Sequence, residues 1–101
     1  MPEQNLAIDV LQMCLTRGWS LTWESRGANL HLEASELIEA IRGKHGSIIK
    51  EAADVLIVLM SITESRGLVW NDVIAAAQTK VDDLKTRPRY LGESFIESEG
   101  A

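Results

Sequence analysis

Five carboxylates stand out for their spacing. Glu33, Glu36 and Glu39 fall three apart in "HLEASELIEA", and Glu51 and Asp54 fall three apart at the head of "EAADVLIVLM". Side chains three apart on a helix share a face one turn apart. If the two stretches form antiparallel neighbours, one acid pair faces the other. Two like charges about 4 Å apart repel by roughly 4 kcal/mol at an effective dielectric near 20. Such a group must hold protons or hold a cation. With only oxygen donors and no His or Cys at ligand spacing, the cation would be Mg²⁺, with Mn²⁺ as a substitute. The competing reading is a solvated helix face, since Glu is a good helix former. Asp54 argues against it: it leads an apolar run, and Asp is a weak helix former.

The elements that must position these acids follow from apolar periodicity and stop signals. A first helix is expected over residues 2–17, ending at Gly18. A connector, "GWSLTWESRGA", carries Trp19 and Trp23 through residue 28. A second helix runs over 29–42 with Leu30, Leu37, Ile38 and Ile41 on its apolar face, and Gly43 stops it. Ser47 caps a third helix that continues to about residue 66. Asn71 or Asp72 opens a fourth, which closes near residue 86, and Pro88 forbids continuation. The fold class is all-α: a short four-helix chain. Between Ala52 and Met60 the third helix is apolar almost all round and needs cover on every side. A bundle completed by oligomerisation, a homodimer or homotetramer, is therefore expected.

With 101 residues there is room for one domain, assigned to residues 1–90, with 91–101 as a tail that is loose or bound at an interface. Apolar residues make up 46% and charged residues 25%, ordinary for a soluble protein. A net charge of −5 and the lack of a basic run argue against binding duplex nucleic acid. The single cysteine, Cys14, lies in an apolar helical pattern and reads as a core thiol in a reducing, cytoplasmic setting. The N-terminal residues do not resemble a signal peptide, and "AADVLIVLM" is too short to span a bilayer.

"LEASELIEAI" followed by "KEAADVLIVL" resembles the MazG-type all-α nucleoside triphosphate pyrophosphohydrolases, whose mark is ExxE, a spacer, then ExxD. Here the motif reads Glu33-Ala-Ser-Glu36, fourteen intervening residues, and Glu51-Ala-Ala-Asp54. Glu36-Leu-Ile-Glu39 also fits ExxE, but the continuation "ELIEAI" favours the earlier register. The resemblance covers about residues 19–90. It implies Mg²⁺ held by Glu33, Glu36, Glu51 and Asp54, with Glu36 or Glu39 activating a water. It also implies hydrolysis of a (deoxy)nucleoside triphosphate to monophosphate and pyrophosphate, as nucleotide-pool housecleaning. "KVDDLKTRP" is similar to the family's phosphate-binding element: Lys80 and Arg87 match, while Leu84 stands where Asn is common. Trp19 or Trp23 would stack on the base. His31 and His45 receive no role. Two alternatives stay open: a phosphoribosyl-ATP or dUTPase-like enzyme on the same scaffold, and a non-catalytic helical dimerisation module.

Overall fold

A computed structural model describes residues 2–87. Four helices follow one another: α1 (Pro2–Arg17), α2 (Trp23–Ile41), α3 (Ile48–Ser65) and α4 (Trp70–Thr86). No strand occurs among the described residues, so the chain is all-α. The stop expected at Pro88 and the tail over 91–101 lie outside the described residues.

The helix ends follow local chemistry. Ser47 caps α3 as expected, its hydroxyl accepting from the Lys50 N–H at 3.4 Å. Past α2, Gly43 takes φ 75°, a conformation that costs glycine little, and the Lys44 N–H donates back to the Glu39 carbonyl at 3.1 Å. The resulting short turn sends α3 back along α2.

Two boundaries depart from expectation. The connector expected through residue 28 ends at Thr22, and α2 begins at Trp23. The Thr22 hydroxyl accepts from the Ser25 N–H at 3.2 Å, which satisfies a first-turn donor. Gly27 costs up to about 1 kcal/mol within a helix, and the buried contact Arg26 makes with α3 offsets that cost. α4 begins at Trp70, ahead of the expected Asn71 or Asp72, and its N-cap, Val69, supplies no side-chain bond. Its first N–H groups are met from outside: Glu64 Oε2 accepts from the Trp70 N–H at 3.2 Å, and Gln4 Oε1 from the Asn71 N–H at 2.9 Å.

The core joins α1, α3 and α4. Ala7, Val10, Cys14, Met60 and Trp70 are buried together, with Met13, Leu21, Leu56 and Ile57 packed on them. Cys14 is thus the core thiol expected, and burial raises its pKa against the opposing pull of Arg26. α3 is central, lying along both α2 and α1, while α4 meets α1 and α3 over a shorter stretch. Within one chain α3 is not enclosed all round. Ala52, Ala53, Asp54 and Leu59 are exposed, and Val58, Met60 and Ser61 are buried. None of the described helices is long and apolar enough to cross a membrane.

Candidate metal centre

Three rungs connect the antiparallel pair α2 and α3. Arg26 meets Ser61 at 3.1 Å. Seven residues on along α2 and seven back along α3 stand Glu33 and Asp54; three further each way stand Glu36 and Glu51. Seven residues is close to two helical turns, so each rung falls on the same seam. One carboxylate oxygen from each of Glu33, Glu36, Glu51 and Asp54 lies within 4.8 Å of the other three. Gly46, in the turn before α3, lies beside one of them: it takes φ 85°, and a Cβ there would meet Glu51 Cγ at an ordinary contact distance of 3.4 Å.

The four acids sit at the edge of the fold: Glu33, Glu36 and Glu51 half-buried, Asp54 exposed. Burial pushes the Glu33 carboxyl above its ordinary value of 4.5, and the neighbouring charges of Glu36, Asp54 and Glu51 push it the same way. Among the described residues, Glu33 Oε2 and Glu51 Oε2 are buried without a hydrogen-bond partner. A buried carboxylate oxygen lacking a donor is costly, and a cation held by the four acids is the kind of partner such oxygens lack. The donor set is all oxygen and bears several negative charges, which fits a hard divalent ion such as Mg²⁺ or Mn²⁺.

Glu33 and Asp54 also line a cavity of about 650 Å³. Met13, Leu32, Ile57 and Val58 give it apolar walls, and Trp19, Arg26 and Asn29 join the lining. Such a hollow, largely apolar with a few polar groups, is the usual form of a small-molecule site.

The remaining candidates fall elsewhere. Glu39 lies one turn beyond Glu36, outside the four-acid cluster, with Lys44 Nζ 4.0 Å from its Oε2. Trp19 is 39% exposed and lines the cavity; Trp23 is 78% exposed on the first turn of α2, outside the lining. The Arg66 guanidinium lies 4.6 Å from the Trp23 ring centroid. Lys80 and Arg87 are exposed at α4 and its end, outside the lining, with Arg87 Nε 4.0 Å from Asp83 Oδ2. Arg26 and Asn29 are cavity residues that the sequence reading passed over. The usable signal was Arg26's position seven before Glu33, hidden by ending the connector at residue 28.

The sequence model of the MazG nucleotide pyrophosphohydrolase domain matches residues 21–87. The chain belongs to this family. The match takes in α2, α3 and α4, and with them all four clustered acids. MazG membership supports nucleotide pyrophosphohydrolase activity in general, in a family that is typically metal-dependent. No curated protein and no solved structure gives a significant match to the chain.

Proposed function

We propose that this MazG-domain chain hydrolyses (deoxy)nucleoside triphosphates between the α- and β-phosphates, with Mg²⁺, as a nucleotide-pool housecleaning enzyme of the cytoplasm. The observation that carries the reading is the meeting of Glu33, Glu36, Glu51 and Asp54 within 4.8 Å beside a cavity.

Bound at these carboxylates, Mg²⁺ would neutralise phosphate charge and offset the charge that builds up at the α-phosphorus. The four acids hold that charge in place and give an acidic protein a local site for a polyanion. Glu36, or Glu39 one turn on, accepts the proton of the attacking water. The water oxygen bonds to the α-phosphorus as the bridging oxygen to the β-phosphorus departs. Lys80 and Arg87 are assigned to the phosphate tail where it emerges from the cavity, and Trp19 to the face of the base. Trp23, outside the lining, is better placed for a contact between copies.

A homodimer or homotetramer is part of the same reading. The radius of gyration is 16.2 Å, against about 13 Å for a compact chain of about 100 residues. Ile49, Trp23, Leu15 and Ile41 are all more than half exposed.

The test is hydrolysis of the standard ribo- and deoxyribonucleoside triphosphates with and without Mg²⁺, resolving pyrophosphate from orthophosphate. Monophosphate plus pyrophosphate, formed only with metal, is the expected result. Orthophosphate release would place the cleavage at the wrong bond. No turnover on any substrate would favour a phosphoribosyl-ATP type of substrate or a non-catalytic module.

A further inference from the structure

Arg26 is the only cation in the cavity lining among the described residues. Its side chain is 6% exposed on a residue basis, although it belongs to a residue type that is seldom buried without a partner. No carboxylate among the described residues comes within ion-pair distance of it. Nη1 donates to Ser61 Oγ at 3.1 Å, and Nε is buried with no partner among the described residues. Ser61 in turn commits its own proton to the Val58 carbonyl at 2.7 Å. The hydroxyl oxygen is thereby left as a pure acceptor for Arg26, which holds the guanidinium in one orientation. Among the described residues the Nε–Nη2 edge, two parallel donors, has no acceptor.

What this edge would meet follows from its distance to the acids. Arg26 and Glu33 share a face of α2, seven residues or about 10 Å apart at 1.5 Å per residue. The same cavity has Met13, Leu32, Ile57 and Val58 as apolar walls and Trp19 in its lining. A polyphosphate laid along these walls would lose its hydration with Arg26 as the only cation to offset the loss. A flat ring suits them, and the distance is of the order of a ribose plus a base. The fork of Arg26 would then face the edge of the base, not the phosphates.

We propose that Arg26 is the specificity-determining residue of this site, selecting bases that present two adjacent acceptors: O2 and N3 of cytosine, or O6 and N7 of guanine. This rests on the pyrophosphohydrolase reading above for the place of the phosphates. Adenine sets its amino group beside N7 and beside N1, and thymine and uracil set N3–H between their carbonyls. Each would bring a donor against a donor-only side chain or leave one arm of the fork unpaired. A good bidentate pair discriminates by about ten- to a hundredfold.

The experiment pairs two readouts on the full chain with Mg²⁺: binding of dCMP, dGMP, dAMP and dTMP followed by tryptophan fluorescence, and kcat/KM for the matching triphosphates. Expected is a preference for the cytosine or the guanine nucleotide of about ten- to a hundredfold over adenine and thymine. The ratio should fall towards one in Arg26→Gln and be only partly kept in Arg26→Lys. Ser61→Ala, which keeps the arginine but frees it to reorient, should shrink the ratio several-fold and serves if the Arg26 variants do not fold. A wild-type preference for adenine or thymine overturns the proposal. So does an equal loss for all four bases in the variants, which would make Arg26 a phosphate or packing residue. Base-selective binding without hydrolysis would remove the pyrophosphohydrolase reading and leave the role of Arg26 standing. Hydrolysis without base preference would remove the role of Arg26 alone. Neither binding nor hydrolysis would remove both.

Discussion

Glu33 and Asp54 come from different helices and bring carboxylate oxygens within 4.8 Å of each other, in the register that the Arg26–Ser61 hydrogen bond shares. One seam between α2 and α3 thus carries an acid cluster and, two turns away, a buried cation. Like charges at that separation repel by about 3 kcal/mol at an effective dielectric near 20. The cluster therefore costs the metal-free fold something that a bound cation would return.

Asp54→Asn removes one of the four charges. Mg²⁺-dependent pyrophosphate release should fall by more than the roughly 10- to 100-fold typical of losing a supporting residue. The melting temperature without metal should hold or rise, because repulsion is relieved. Activity that survives the substitution would show that the acids are wrongly assigned.

The raised pKa of Glu33 makes stability depend on pH in a defined direction. The folded chain binds this proton more tightly than the unfolded chain does. The contribution of Glu33 is thus complete below its ordinary value of 4.5 and is lost as pH climbs through the raised folded value. Metal-free wild type should lose stability relative to Glu33→Gln over that rise. Mg²⁺, which competes with the proton, should stabilise wild type more as pH increases. Melting curves of both proteins across the range, with and without Mg²⁺, check this. A Mg²⁺ effect that does not grow with pH would count against the cluster as a cation site.

Gln4 and Glu64 hold the start of α4. Gln4 Nε2 lies 3.3 Å from both Glu64 carboxylate oxygens, and each residue accepts one N–H of the first turn. Gln4→Ala or Glu64→Ala should each cost about 1 kcal/mol, the usual worth of a lost cap. In a double-mutant cycle by denaturant unfolding the two losses should not add. Additive losses would mean that the residues act separately.

Lys80→Ala tests the phosphate-tail assignment. Triphosphate affinity should drop by about tenfold, the worth of one charge-assisted hydrogen bond, while monophosphate affinity changes little. Titration with both nucleotides separates the cases, and equal losses would end the proposed role.

Sedimentation of the full chain should give at least two copies per particle. Ile49→Glu, at a side chain 82% exposed in the single chain, should weaken that association. A wild type that stays monomeric would break the argument for α3 being covered by a second copy.

The helices and the acid motif were legible because both depend on short-range order. Apolar periodicity, the stops at Gly18 and Gly43, and the Ser47 cap act within a turn or two of chain. So does the ExxE and ExxD spacing, which puts each acid pair on one face before any packing is known. Once a short turn joins two helices of that kind, the meeting of Glu33 and Glu36 with Glu51 and Asp54 is nearly forced.

What only the tertiary structure decided involves partners far apart in sequence. α2 extends back to Trp23 because Thr22 caps it and because Arg26 finds Ser61, thirty-five residues away. A reading of "WESRGA" by propensity sees glycine and loop formers instead. That early start places Trp23 on a helix, and the packing puts Trp19 alone of the two in the cavity lining, although the sequence treats them alike. α4 has no side-chain cap of its own and borrows one from Gln4 and Glu64. The sequence determined which acids could do chemistry, because spacing along a helix is local geometry. Folding determined which of them share a cavity, because burial and long-range hydrogen bonds exist only when distant segments meet.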